Sequence, residues 1–296
     1  MNQDSPHLPV WKSLLLGGYY RASLPYRWWR QAAAIAEHRV PIVVLFYHRI
    51  ADDGATSWTM SNRCFERQVR WMADRFDLVS LAEAQRRIRD GENTRPAVAI
   101  TFDDGYAENC HRAIPLLVKE GIPCTYFVVL HNVLRQEPFL HDVARGHRFL
   151  PNSVEQLSAM ATAGVEIGGH TYSHAELGPI DDEDDLYREI VMAGRELQQV
   201  IETPVRYFAF PFGQYESLSG RAFEIAREAG YRAVCSAYGG YNVPGDDPFH
   251  IQRIHADEGM IRLKNRLTID PRMSRTGRFT WNPSNGGTQV VKDRVS

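Results

Sequence analysis

The 296-residue sequence lacks the features that mark several protein classes. Its longest apolar run near the start, residues 40–47, is far shorter than the ~18 residues of a membrane-spanning helix. With 34 basic and 36 acidic residues it has no basic excess to hold a nucleic-acid backbone, so no nucleic-acid partner is expected. No C-x-x-C pair occurs among its only cysteines, which excludes a thiolate zinc knuckle and a dithiol redox motif; they are Cys64, Cys110, Cys124 and Cys235.

What remains is the composition of a globular protein, with 44% hydrophobic and 24% charged residues. This supplies enough apolar material for a full core and excludes collagen, coiled-coil and wholly disordered classes. Residues 1–9 are polar and show no basic segment followed by a long apolar one, as a secretory signal would. We therefore expect a cytoplasmic protein. The sequence does not indicate its oligomeric state.

Residues 11–30 interleave aromatic and basic side chains, for example Trp28 and Trp29 between Arg27 and Arg30. Such a segment can lie on an anionic membrane surface, which would be a peripheral contact. The same pattern fits a helix that packs its aromatic side chains on the domain. Both interpretations stay open at this point.

The rest of the chain alternates strand and helix patterns, with about seven strands. Continuous apolar runs predict buried strands at residues 42–47 and 97–102, and a last strand is expected at residues 250–254. This alternation indicates an α/β fold with a parallel sheet covered by helices, either a closed (β/α) barrel or an open sheet. No G-x-G-x-x-G follows any strand, which disfavours a dinucleotide-binding fold.

Three segments are expected within one chain: an N-terminal extension over residues 1–40, a single domain over residues 41–269, and a flexible tail over residues 270–296, where small polar and basic residues dominate.

The segment Thr101-Phe102-Asp103-Asp104-Gly105-Tyr106 places two adjacent carboxylates where a buried strand ends. Burying two neighbouring negative charges is costly, and a divalent cation would relieve that cost. One carboxylate could then bind the metal while the other moves protons. Without partners, the two acids could equally be a helix cap and a solvated side chain.

Partners occur after another short apolar strand, where His170 and His174 stand four residues apart in His-Thr-Tyr-Ser-His. Strand carboxyl ends meet on one face of an alternating β/α fold, so these histidines can approach Asp104. Two histidines and one carboxylate leave an open position for water, as expected of catalytic zinc. Iron(II), nickel or cobalt would also suit such a site.

Other strand ends carry further candidates. Phe212, in Phe208-Ala209-Phe210-Pro211-Phe212-Gly213, can wall a substrate groove and present a backbone N–H to an oxyanion, or it can be an ordinary turn. His48 follows the first strand and is the first candidate for a general acid, with His255 as its rival. By contrast, the histidines of residues 130–152 are expected to be loop residues; they are His131, His141 and His147.

Together, TFDDGY, HTYSH and FAFPFG resemble the motifs of the polysaccharide deacetylases, the NodB-homology or carbohydrate esterase family 4 group. The resemblance covers residues 41–257. LFYHRI near the start and RIHAD near the end resemble the bacterial branch associated with exopolysaccharide clusters.

The resemblance implies a distorted (β/α)7-type barrel and a hydrolase that removes N-acetyl groups from an acetylated glycan. It also implies one divalent metal ion, zinc before cobalt, nickel or iron(II). By motif position, Asp103 is the base, and the metal ligands are Asp104, His170 and His174. Tyr106 and Phe212 are expected to contact the substrate.

Two departures from the family pattern stand out. Ala209 occupies the position of an arginine that orients the base, and no Asp-x-x-Trp motif occurs near residues 235–242. Because of these losses, a second interpretation stays open: a deacetylase-like protein that binds a glycan and is catalytically weak or inactive. Such a protein would not need Asp103. A different metallohydrolase, an esterase or phosphoesterase, is the third possibility.

Overall fold

A computed structural model of the protein describes residues 9–282 and 287–291. Its centre is a nine-stranded sheet. In the described part of the chain this sheet consists of β1 and of β4 to β11. All pairings within this sheet are parallel. The strands are β1 Ile42–Tyr47, β2 Arg49–Ile50, β3 Thr59–Met60, β4 Asp77–Leu78, β5 Ala97–Phe102, β6 Cys124–Val128, β7 Glu166–Gly169, β8 Tyr207–Ala209, β9 Ala233–Cys235, β10 His250–Ile251, β11 Ile254–His255, β12 Arg278–Asn282 and β13 Gly287–Val291.

The two ends of this sheet are joined by six consecutive residues. Along the sheet the order is β10-β9-β8-β7-β6-β5-β1-β11, so β10 and β11 lie at opposite ends of the path although only Gln252 and Arg253 separate them in sequence. One extended segment thus pairs with β9 at its start and with β1 at its end. This arrangement gives the distorted barrel that the sequence predicts. The single strand expected at residues 250–254 is two short strands.

Helices cover the outside of the sheet, which explains why its strands are continuously apolar. The side chains of Val43 and Leu45 pack outward under the helices, whereas Ile42 and Val44 point to the interior. The helices are α1 Val10–Ala36, α2 Asn62–Ala73, α3 Leu81–Asp90, α4 Ala113–Lys119, α5 Leu130–Arg135, α6 Leu140–Val143, α7 Val154–Thr162, α8 Glu183–Tyr187, α9 Ala193–Ile201, α10 Gly220–Glu228 and α11 Met260–Leu267, with a π-helical segment at Arg188–Met192 that joins α8 to α9.

The described part of the N-terminal extension consists mainly of one long helix, α1, which is attached by polar contacts to α11 and the residues that follow it. The buried Arg27 guanidinium donates hydrogen bonds to the backbone oxygens of Asn265 and Thr268, at 2.8 and 3.1 Å. Tyr19 donates to Asp270 at 2.7 Å. No helix in the described part of the chain combines the length and the hydropathy that crossing a membrane requires.

Part of the segment expected as a flexible tail contacts the domain. Asp270 and the side chain of Phe279 are buried, and Arg278 pairs with Asp246 at 2.6 Å. The segment that starts at residue 270 is therefore held against the domain at least as far as Phe279. Residues 283–286 and 292–296 lie outside the described part.

Candidate active site

A cleft of about 370 Å³ opens at the carboxyl ends of the parallel strands. Its wall includes residues at or shortly after the carboxyl ends of β1, β5, β7, β8 and β11: His48, Asp103, Asp104, His170, His174, Phe210, Phe212 and His255. The strand register explains this convergence, because Phe46 of β1 lies level with Thr101 of β5 and with His255. The edge of the sheet is where α/β folds place their ligands.

Asp103 and Asp104 leave β5 in a tight turn that aims both carboxylates into the cleft. The Asp103 N–H donates to Tyr47 O at 2.8 Å and so continues the ladder between β1 and β5. Asp104 then adopts a φ of +70° and Gly105 one of +96°. A Cβ at Gly105 would lie 3.0 Å from a methyl carbon of Val128, so this position requires glycine on both counts.

The structure brings Asp104, His170 and His174 together as the sequence predicts. One ligand atom from each lies within 4.8 Å of the other two. The Nε2 atoms of His174 and His170 are 3.2 and 3.5 Å from Asp104 Oδ1. His170 Nδ1 is 2.8 Å from the carbonyl oxygen of Ala209, which can only accept, so Nδ1 carries the proton and Nε2 presents its lone pair to the site.

These three side chains fit a divalent metal ion. Asp104 is buried, and its Oδ1 has no hydrogen-bond partner among the described residues, a costly state that a cation would relieve. Burial raises the pKa of Asp104, but His170 and His174 lower it more, so the net pKa lies well below the ordinary value. A charged carboxylate with two imidazoles is a donor set that suits zinc and related metals.

Asp103, the expected base, is held by a residue that the motif analysis missed. The Arg253 guanidinium donates to both carboxylate oxygens of Asp103, at 2.6 and 2.9 Å, and to Thr101 Oγ1 at 3.2 Å. Burial raises the pKa of Asp103, but Arg253 and the nearby histidines lower it more, so the net pKa is below its usual range. Period-two alternation along the last strand could have found Arg253, since it shares a face with His255 two residues later.

His48 and His255 both reach the cleft, with ring centroids 5.6 Å apart. His255 Nδ1 is 2.9 Å from a carboxylate oxygen of Asp257, which orients the ring and leaves Nε2 free to face the cleft. The Nδ1 atom of His48 is buried and has no hydrogen-bond partner in the described part of the chain. Burial lowers the pKa of His48 to about 4.

Tyr106 and Phe212, the two expected substrate contacts, differ in position. Phe212 is 56% exposed at the cleft mouth, and its ring lies 5.1 Å from that of His174. The Tyr106 ring is fully buried, and its hydroxyl donates to Asp142 at 2.8 Å. Tyr106 thus lies behind the cleft wall and supports it, and only Phe212 is positioned to touch a ligand.

The loop histidines expected from the sequence include one that reaches the cleft. His141 in α6 lines the wall, and its ring centroid lies 5.7 Å from that of His174. Beside it, Arg145 stacks over Trp58 at 4.8 Å from the ring centroid. Nothing in the local sequence marks His141, because its position depends on how the long connection folds back over the cleft.

Comparison with known proteins shows what the chain is similar to. Residues 90–234 match the family model described as polysaccharide deacetylase. Over this segment the chain is similar to the polysaccharide deacetylases. A family relative, YxkH of Bacillus subtilis (strain 168), is provisionally named a polysaccharide deacetylase and is 24% identical over 226 residues, which cover 76% of this chain and 74% of YxkH. The expectation of a hydrolase that acts on amide bonds is confirmed at the level of this family.

Solved structures of the family share the fold. IcaB from Ammonifex degensii has a TM-score of 0.63 and 24% identity, covering 77% of this chain and 97% of its own. The deacetylase PplD of Streptococcus pyogenes, in complex with acetate, has a TM-score of 0.66 and 19% identity, covering 78% and 99%. A de-N-acetylase from Aggregatibacter actinomycetemcomitans has a TM-score of 0.62 and 21% identity, covering 76% and 99%. The predicted (β/α)7-type barrel is therefore confirmed.

The ligand assignment predicts which substitutions remove metal. Loss of an outer-shell partner costs metal affinity roughly 10- to 100-fold, so loss of a direct ligand in His170→Ala or His174→Ala should cost more than about 100-fold. His48→Ala, in the same cleft, is the matched control and should bind zinc as wild type does. Zinc titration of metal-stripped protein by calorimetry measures both, and wild-type affinity in His170→Ala would refute the assignment.

Proposed function

We propose that the protein is a metal-dependent hydrolase that removes N-acetyl groups from a polysaccharide or glycan. The observation that carries this proposal is the buried ion pair between Arg253 and Asp103 beside the candidate ligands Asp104, His170 and His174. It supplies a charged, oriented carboxylate next to a candidate metal, which is what water-mediated amide hydrolysis requires.

A divalent metal at this site would supply Lewis-acid activation of water and polarisation of the acetyl carbonyl. Asp103 acts as the general base. Both of its oxygens accept from Arg253, which fixes the plane of the carboxylate and keeps it ionised. Each oxygen of a carboxylate has a second lone pair, so Asp103 can still accept a proton from water in the cleft.

The leaving amine needs a proton, and we propose His255 as its donor, ahead of His48. The Asp257 carboxylate accepts from His255 Nδ1, which orients the ring and directs Nε2 toward the cleft. The low pKa of His48, about 4, keeps that ring neutral near pH 7, so it is poorly suited to donate a proton. His48 remains a polar group on the cleft wall.

The acetyl group and its sugar would meet an aromatic wall. Phe212 lies at the mouth, and Trp58 stands on the side of His141, at 5.2 Å between ring centroids. Aromatic faces of this kind suit the apolar faces of a sugar ring. We also infer that the backbone N–H of Phe212 stabilises the developing oxyanion.

The relatives support an N-acetylated glycan as the substrate class. One solved neighbour is a de-N-acetylase and another is a deacetylase in complex with acetate. The motif resemblance to the exopolysaccharide-associated branch extends the proposal to an exopolysaccharide. The identity of the sugar and the linkage are outside the proposal.

The glycan-binding alternative loses its main support. That alternative depended on Ala209, which replaces the arginine that orients the base. Arg253 reaches Asp103 from the segment between β10 and β11, so an arginine contacts the proposed base although the motif residue is absent. A phosphoesterase with two metals is also disfavoured, because the described residues contain a single His/Asp cluster of ligand geometry.

Acetate release tests the proposal directly. Metal-stripped protein and protein reloaded with zinc or cobalt are compared on a panel of N-acetylated glycans. We expect release that depends on metal and that falls at least ~100-fold in Asp103→Asn, the base variant, with zinc still bound. If zinc binds but no glycan releases acetate, the result would favour the glycan-binding alternative.

The role of Arg253 is tested by Arg253→Lys, which keeps the charge but loses the two-point contact. Misplacement of a reacting group by about 1 Å can cost ~100-fold in rate, so kcat should fall by about that factor with KM and zinc content little changed. Arg27→Lys, an equally buried arginine far from the cleft, is the control for stability. Equal kcat losses in both variants, or unchanged kcat in Arg253→Lys, would show that Arg253 does not position the base.

The proton donor is tested by leaving-group dependence. In His255→Gln, kcat for an N-acetylated sugar should fall ~100- to 10,000-fold, while hydrolysis of an aryl acetate, whose phenolate leaves without a proton, should change little. His48→Gln should not affect the N-acetylated sugar and the aryl acetate differently. The reverse pattern would assign the acid to His48.

A further inference from the structure

Helix α1 carries a stripe of exposed apolar side chains on the side opposite its buried anchor. The stripe is defined here as Trp11, Leu14, Leu15, Trp28 and Trp29, each between 59% and 70% exposed. At 100° per residue these positions fall on one side of the helix, opposite the buried Arg27. Eight of the sixteen large apolar side chains that are exposed in the described part of the chain lie on this one helix.

The helix is attached so that the stripe cannot turn inward. Arg27 donates five hydrogen bonds on its side, to Ser23, Asn265 and Thr268, and Tyr19 donates to Asp270. These contacts are buried or part-buried, so rotating α1 would leave polar groups without hydrogen-bond partners. The aromatic stripe therefore faces outward as a consequence of the polar anchor.

The charges around the stripe favour one kind of partner. Residues 10–36 contain no Asp or Glu and four basic residues: Lys12, Arg21, Arg27 and Arg30. A second copy packed on the same face would bring these like charges together, whereas an anionic surface complements them. Tryptophan beside lysine and arginine on one helix is the composition of a segment that lies in a bilayer interface.

We propose that α1 docks the protein onto an anionic lipid bilayer, with the stripe inserted into the interface. The helix lies in the plane of the membrane and does not cross it. Its first turns adjoin the carboxyl edge of the sheet, since Lys12, Leu15 and Leu16 share a surface groove with Asp257, the partner of His255. Docking through α1 therefore brings the cleft side of the domain to the membrane surface.

Vesicle flotation of the full chain tests this inference with two lipid compositions, phosphatidylcholine alone and phosphatidylcholine mixed with phosphatidylglycerol. We expect binding to the mixed vesicles, weaker binding at high salt, and little binding to the neutral ones. Trp28→Ser with Trp29→Ser should weaken binding at least ~10-fold, and Arg21→Gln about fivefold. The control pair Leu150→Ser with Met192→Ser changes exposed side chains away from α1 and should leave binding unchanged.

Two further readouts separate the possible outcomes. Acetate release from a soluble glycan should be unchanged in the Trp28 and Trp29 variant, because neither residue lines the cleft. Light scattering during gel filtration reports the oligomeric state of wild type and variant. A wild-type dimer that the variant loses, without vesicle binding, would assign the stripe to a second copy and overturn the proposal, as would equal loss of binding in the control pair.

Discussion

The ion pair between Arg253 and Asp103 is the constraint on which the site depends. Two adjacent buried carboxylates repel, and an unpaired buried charge costs about 3–5 kcal/mol. Arg253 relieves this conflict for Asp103 alone, since its two terminal nitrogens donate to that side chain and to Thr101, and its Nε donates to the carbonyl oxygen of Ser236. Asp104 is then the acid without a cationic side chain on its Oδ1, and it is the one that faces two imidazoles. The arginine thereby distinguishes the two neighbouring acids, one as the candidate base and the other as a candidate metal ligand.

Closure of the barrel makes this ion pair possible. Arg253 lies between β10 and β11, where the chain leaves one end of the sheet and joins the other. Its buried guanidinium lies over the rings of Phe46 and Phe127, at 4.9 and 5.2 Å from their centroids. The backbone at the cleft is also held by the sheet. Asp104, Thr171, His174 and Phe212 all adopt positive φ angles, and the paired strands on either side hold this strained backbone in place.

The sequence predicts the regular strands of this protein better than the contacts that close the barrel. Strands 42–47 and 97–102 were predictable to the residue, because strands buried on both faces are continuously apolar. The convergence of Asp104, His170 and His174 was predictable because all three lie in local motifs that begin where a strand ends. Arg253 was not found because its role depends on a contact between residues 150 positions apart. His141 was missed, and Tyr106 was expected on the cleft wall, because both depend on the fold of an irregular connection.

The same limit explains why composition left two interpretations of the N-terminal segment. Aromatic and basic residues in alternation are compatible with packing inward or with facing out, and only the position of Arg27 distinguishes them. Its guanidinium finds acceptors on α11, which commits that side of α1 to polar contacts and leaves the tryptophans on the other. Contiguous exposed apolar patches mark interaction sites on proteins. The polar contacts that fix α1 to the domain therefore also keep the tryptophans exposed on the other side of the helix. One side of α1 attaches it to the domain, and the other is the side that we propose docks onto the membrane.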